Sequence, residues 1–268
     1  MKRYFANFAA AIVGILVFLS TKPALSQGEN LLPDMVTFRP SQFSIEVVGG
    51  KRLLRLSNEV VNQGRGTLEL YAEKPDSGDC DGNGDPANDR LVYQRIFQDA
   101  NGDHIYTRKT DKKYTDVRAG CMVFHPLHDH YHLNDFARYE LKTLDSTNTT
   151  LAQSIKVSFC IIDSSHPYGD LLGSPTSRYY KSCGRNFKQG ISVGWGDVYR
   201  STLADQTIDI TGIPDGNYCV FSTADPTNKL IEFDDDNNSK GTKITLSTNT
   251  TVTPPVTTVT SDASSCPL

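Results

Sequence analysis

Cys121-Met-Val-Phe-His-Pro-Leu-His-Asp-His-Tyr-His-Leu-Asn-Asp-Phe-Ala-Arg-Tyr-Glu-Leu141 is the stretch from which the rest of the chain can be read. It contains four of the six histidines, and three of them, His128, His130 and His132, recur at every second position. In an extended strand that period turns three imidazoles to one face, with about 7 Å between successive Cα atoms. Three convergent neutral imidazoles suit a borderline divalent transition metal, with copper and zinc the leading occupants. The histidines run directly into Phe136, Ala137, Tyr139 and Leu141, an apolar strand pattern.

Outward from this stretch the strand pattern repeats. Strands are expected at Phe43–Val48, Leu53–Val61, Thr67–Tyr71, Leu91–Phe97, Phe136–Leu144, Ser154–Ile162, Thr207–Ile213, Tyr218–Ser222 and Lys243–Leu246. No segment carries a sustained 3.6-residue apolar stripe. The expectation is all-β: a β-sandwich of antiparallel strands with long loops and little helix.

Residues 1–26 read as a secretory signal peptide. Lys2 and Arg3 precede an apolar core from Phe8 to Leu19, and Ala24-Leu25-Ser26 is a small-x-small cleavage site. No other stretch approaches membrane length, so the mature form is expected to be secreted, extracellular or periplasmic, with no membrane association. Residues 27–247 form the expected β-sandwich domain. From Thr248 to Leu268 the composition turns to Thr, Pro and Val, a poorly ordered tail unless Cys266 pins it. Six cysteines (80, 121, 160, 183, 219 and 266) in an oxidising compartment read as disulfide partners, with 15 pairings open. The leader holds three of the 27 basic residues and none of the 31 acidic ones, leaving a net charge of about −7. That field repels nucleic acid and favours cationic partners.

The acids are clustered. Asp79-Cys-Asp81-Gly-Asn83-Gly-Asp85 and Asp99-Ala-Asn101-Gly-Asp103 set oxygen donors at alternate positions, like the first half of a calcium loop, but neither has a Glu at the twelfth position. In Ile231-Glu232-Phe-Asp234-Asp235-Asp236-Asn237-Asn238 four carboxylates crowd together, and a hard cation would relieve their repulsion. Lys156 lies in the apolar Ser154-Ile-Lys-Val-Ser-Phe-Cys160. There a lysine either snorkels to water or sits in a pocket that favours its neutral, nucleophilic amine.

His125-Pro-Leu-His-Asp-His-Tyr-His132 resembles the copper-binding segment of the lysyl oxidase family, here in a secreted, bacterial-type member. By that resemblance His128, His130 and His132 bind copper. The family's animal members carry a Trp-x-Trp before the segment and a cysteine within it; here Met122-Val-Phe124 precedes and Cys121 lies upstream. The 232–238 run is similar to the family's Glu-x-Asp-x-x-Asn-Asn segment. It implies a structural calcium held by Glu232, Asp234, Asn237 and Asn238 with Asp34 and the Met35 carbonyl. Lys156-x-Ser-Phe-Cys160 resembles the segment with the cofactor lysine. Gly194-Trp-Gly-Asp-Val-Tyr199, followed by Ile208-Asp-Ile210, resembles the segment with the cofactor tyrosine. The resemblance therefore implies a lysine tyrosylquinone made from Lys156 and Tyr199, and a Cys121–Cys183 bridge tethering the copper loop.

The implied activity is copper-dependent oxidation of a primary amine, peptidyl lysine or a small amine, to an aldehyde. Dioxygen is the acceptor, and ammonia and hydrogen peroxide are released. Asp197 and Asp209 flank Tyr199 in sequence and are candidate catalytic bases, with His125 and His166 as alternatives. Two other readings stand beside it: a copper-binding sandwich without oxidase activity, and a calcium-dependent adhesive domain that would leave the histidine run unexplained.

Overall fold

The computed structural model describes residues 28–72, 78–126, 128–154, 158–183 and 188–266. The leader lies outside them, as do Lys156 and its two neighbours. Among the described residues the chain is built from antiparallel strands, with a single 3-10 turn at Pro86–Asn88, and no helix is long and apolar enough to cross a membrane.

Among the described residues the strands form three sheets. One runs Lys188–Ile191, Leu68–Ala72, Asp89–Gln98, Tyr114–His125, His130–Leu133, with Asn30–Leu31 added beside Asp89–Gln98. The second runs Thr150–Gln153, Ala137–Thr143, Gly216–Ala224, Ser239–Asn249, Val256–Ser265. In the third, the long strand Lys51–Asn62 pairs with Met35–Thr37, Ser41–Val48, Gly196–Tyr199 and Thr207–Asp209. Alternation explains how the sheets close over one core. In Ala137–Thr143, residues Ala137, Tyr139 and Leu141 are fully buried while Arg138 and Glu140 keep partial exposure. They join Phe136, Phe159, Leu54, Leu56, Leu68, Leu70 and Met122 in one apolar cluster.

Several expectations are corrected. Ser154–Ile162 is not a continuous strand among the described residues. A short strand, Thr150–Gln153, is followed by isolated bridges at Ser154 and Phe159, each paired to a different neighbour, Ile208 and Leu133. The disulfides are Cys80–Cys121, Cys160–Cys183 and Cys219–Cys266, with Cα separations of 5.6, 5.8 and 5.9 Å. A Cys121–Cys183 bridge is therefore absent: Cys121 faces the 79–85 loop, and Cys183 packs beside Cys160. Cys266 does pin the C-terminal stretch, and Val256–Ser265 is a full strand on the edge of the second sheet.

The N-terminal segment is held close to the loop after Lys51–Asn62. A Cβ on Gly66 would collide with the Leu31 carbonyl, and one on Gly64 with the Pro33 carbonyl carbon. Glycine at both positions lets Asp34 and Met35 approach Asn62, whose side-chain oxygen accepts the Asp34 amide at 3.1 Å.

Candidate metal centre and active site

Tyr114–His125 and His130–Leu133 form a hairpin in which His125 pairs with His130 and Val123 with His132. The strand begins only at His130; His128 and Asp129 belong to the turn, with Asp129 at φ 54° and the His128 amide donating to the His125 carbonyl at 3.0 Å. The three imidazoles therefore converge because a tight turn folds His128 back over the strand, not because all three share one strand. The same register brings in His125, whose ring stacks on His128 and His132 at centroid distances of 4.1 and 4.8 Å.

His132 is at the centre, 2% exposed. Its Nε2 lies 3.3 Å from His128 Nδ1 and 3.0 Å from His130 Nε2. Metal–nitrogen bonds of about 2.0–2.1 Å set ligand atoms about 2.9 Å apart at right angles and about 3.3 Å apart at the tetrahedral angle. The observed spacings are those of a ligand set. The other nitrogen of His132, Nδ1, lies 3.5 Å from Ser158 Oγ, a contact that turns Nε2 toward the cluster. Ring nitrogens of His125, His128 and His132 also lie within 4.8 Å of one another, and His125 Nδ1 is buried with no hydrogen-bond partner. The donor set thus fits copper or zinc and offers a fourth imidazole. The Cys160 and Cys183 sulfurs, near His130, are tied up in a disulfide and are not thiolate donors.

His128, His130 and His132 share a cavity of about 480 Å³ with Phe159, Ser164, Asp197 and Tyr199. Tyr199 and Asp197 are two apart on Gly196–Tyr199, so both side chains project from one face. The Tyr199 ring meets Phe159 edge-on at 4.4 Å, and its hydroxyl donates to the Cys160 carbonyl at 2.7 Å. The same hydroxyl lies 2.5 Å from Asp197 Oδ2. The phenol has one proton to donate, so it is shared between the Cys160 carbonyl and Asp197 Oδ2. Burial pushes the Asp197 carboxyl up to about 7 even though Tyr199, Ser164 and two backbone amides hydrogen-bond to it. Burial, and then the nearby Asp197 carboxylate, push the Tyr199 phenol well above its ordinary value.

Two of the other candidate bases, Asp209 and His166, lie elsewhere, while His125 stacks within the histidine cluster. Hydrogen bonds from Thr211, and then Lys51 at 3.2 Å, hold Asp209 below the ordinary carboxylate value; it does not line the cavity. Its neighbour Ile208 fills the core, so the strand turns Asp209 outward. His166 stacks on Trp195 at 4.1 Å and contacts Ser174 Oγ at 2.8 Å, also outside the cavity. Lys156 lies outside the described residues, while Ser158, Phe159 and Cys160, which follow it, lie at or beside the metal cavity.

The acidic run meets the N-terminal segment. Glu232 Oε2 accepts the Met35 amide at 2.5 Å, Pro33 O accepts the Phe233 amide at 2.8 Å, and Asn237 donates to Asp34 Oδ1 at 2.8 Å. Asn238 donates to Glu232 Oε1 at 2.9 Å. With their amide nitrogens so engaged, the side-chain oxygens of Asn237 and Asn238 are buried without partners. Burial raises the Glu232 carboxyl to about 8, assisted by Asp225 and Asp235; burial likewise raises Asp34, with Asp234 and Asp235 adding repulsion. Orphaned oxygens beside costly carboxylates are what a hard cation satisfies. The 99–103 loop is different: Asp99, fully buried, accepts the Asn101, Gly102 and His104 amides and pairs with the His104 ring.

A β-sheet scaffold gathers imidazoles and a buried tyrosine–carboxyl pair around one cavity, and comparison with known proteins gives the family. A family model described as Lysyl oxidase matches residues 102–254. The chain is 35% identical to lysyl oxidase homolog 4 of Mus musculus over 117 residues, 36% to homolog 3B of Danio rerio over 118, and 35% to homolog 2 of Gallus gallus over 119. Each alignment covers 43–44% of this chain and 14% of the relative, so the matched region spans about one seventh of those proteins. The chain belongs to the lysyl oxidase family, a family of amine oxidases.

Proposed function

We propose that the protein is a secreted, copper-dependent amine oxidase that converts a primary amine, peptidyl lysine or a small amine, to the aldehyde. Water is consumed, dioxygen is reduced to hydrogen peroxide, and ammonia is released. His128, His130 and His132 hold the copper, with His125 stacked against them. Lys156 and Tyr199 supply a lysine tyrosylquinone. When formed, that group would supply an electrophilic carbonyl and an electron sink. The chain's own residues do the rest. Asp197, in contact with the Tyr199 oxygen, takes the α-proton of the substrate. Its raised pKa makes it a base matched to neutral pH. Phe159 buttresses the Tyr199 ring.

The observation that carries this reading is the cavity shared by the three histidines, Asp197 and Tyr199. Asp34, the Met35 carbonyl, Glu232, Asp234, Asn237 and Asn238 hold a structural calcium that ties the N-terminal segment to the C-terminal half of the domain. The catalytic unit is bounded by a cleaved leader at 1–26, and the acidic mature surface attracts cationic substrate. Neither nucleic acid nor membrane is a partner. The test is a visible spectrum and a redox-cycling quinone stain of copper-loaded, aerated protein. A quinone band that disappears in Tyr199→Phe supports the reading. Copper binding without any quinone leaves a copper-binding module instead.

A further inference from the structure

The loop at 79–85 lacks a glutamate at its twelfth position, yet the fold supplies a carboxylate there by another route. Asp79 accepts the amides of Gly82, Asn83 and Gly84 at 2.7, 3.0 and 2.8 Å and curls the loop around itself. Gly82 and Gly84 take the positive φ angles, 77° and 86°, that this curl requires. The 3-10 turn Pro86–Asn88 then returns the chain, and Asp89, the first residue of the strand Asp89–Gln98, closes the ring. One oxygen each from Asp79, Asp81 and Asp89 lie within 4.8 Å of one another.

Asp89 distinguishes this loop from an ordinary solvated acidic turn. It is 1% exposed, its Oδ2 faces the loop and accepts the Cys80 and Asp81 amides at 2.9 and 3.3 Å, and its Oδ1 is buried with no hydrogen-bond partner. A buried carboxylate oxygen left unsatisfied beside two further carboxylates is strongly disfavoured unless a cation joins them. We propose that Asp79, Asp81 and Asp89 form a second calcium site, separate from the one at Asp34 and residues 232–238. The donors are all oxygen, and the nearby sulfurs of Cys80 and Cys121 are joined as a disulfide, which excludes a thiolate-loving metal. Opposed oxygens in a calcium sphere lie about 4.6–5.2 Å apart, which accommodates the observed spread.

The site would brace the metal hairpin from outside. Cys80 is bonded to Cys121 in the strand Tyr114–His125, and Asn134, just after His130–Leu133, donates to Asp81 Oδ2 at 3.4 Å. The inference is independent of the oxidase reading.

Calcium binding is measured on the full secreted chain by equilibrium dialysis after exhaustive chelation. Wild type should bind one more calcium per chain than Asp81→Ala or Asp89→Asn, and the double variants with Asp234→Ala should lose a further one. Asp81 is exposed, so Asp81→Ala carries the test even where Asp89→Asn does not fold. Equal stoichiometry and affinity in wild type and Asp81→Ala, with loss confined to Asp234→Ala, overturns this site and leaves the other standing.

Discussion

The Asp197 carboxyl and the Tyr199 hydroxyl meet at 2.5 Å on one face of a four-residue strand, while the same hydroxyl donates to the Cys160 carbonyl. Burial raises the Asp197 carboxyl to about 7, so in the folded state it keeps its proton up to near neutral pH. In the unfolded chain the carboxyl would have released it by about pH 4.

The sign of the linkage follows. A carboxyl raised from 3.8 to about 7 favours folding below pH 4, and that contribution is lost as pH climbs through 7, up to about 4 kcal/mol. Glu232, also raised, acts in the same direction but is common to wild type and variant. The melting temperature of wild type should therefore fall more steeply from pH 4.5 to 7.5 than that of Asp197→Asn. Parallel curves would remove Asp197 as the titrating group.

For catalysis the same group must lose its proton. Amine oxidase kcat/KM is expected to rise with unit slope to a plateau near pH 7, and Asp197→Asn to lose at least a hundredfold in kcat while retaining copper. A variant that keeps both the rate and the pH profile assigns the base elsewhere.

Removing one imidazole should be costly at the metal. His130→Ala is expected to lose most bound copper, measured by elemental analysis, and with it any quinone absorbance. His125→Ala should weaken binding far less if His125 is a stacking neighbour; an equal loss would make it a fourth ligand.

Lys156 and Tyr199 are 43 positions apart, and their union would leave a covalent mark. Digestion and mass spectrometry of copper-loaded, aerated protein should find their peptides joined. Tyr199→Phe should keep copper and lose both crosslink and activity. Recovery of both wild-type peptides unmodified would sink the oxidase reading.

Calcium bound at Asp34 and residues 232–238 stabilises by about 2.7 kcal/mol at a hundredfold excess over Kd. Chelation should lower the wild-type melting temperature by several degrees. Asp234→Ala, which retains the loop at 79–89, should shift by less. Identical shifts in the two proteins count against that site.

Much of this was legible because it is local. The alternation of Ala137, Tyr139 and Leu141 marks a strand, and the spacing of His128, His130 and His132 marks a cluster of imidazoles. What was hidden depends on register and closure. His125 joins the other histidines only because it pairs across the turn with His130. Asp89 reaches Asp79 only through the intervening 3-10 turn, and Cys121 meets Cys80 rather than Cys183 because the 79–85 loop folds over its strand. Tyr114–His125 escaped notice because Thr115, Asp116 and Arg118 break the apolar alternation on an exposed half-strand. Val256–Ser265 is rich in Thr and Val, a composition equally suited to an unstructured tail and to a strand.

That last strand has a consequence for how the protein meets other chains. Without it, the Ser239–Asn249 backbone would be an open sheet margin, a row of unsatisfied amides and carbonyls able to recruit a second chain. Val256–Ser265 takes over the margin with hydroxyl side chains and Asp262, and Cys266 rivets it to Cys219 so that it does not peel away. A chain cut after Asn249 would keep its histidines, Asp197 and Tyr199, yet would trade a covered sheet margin for one inclined to self-associate.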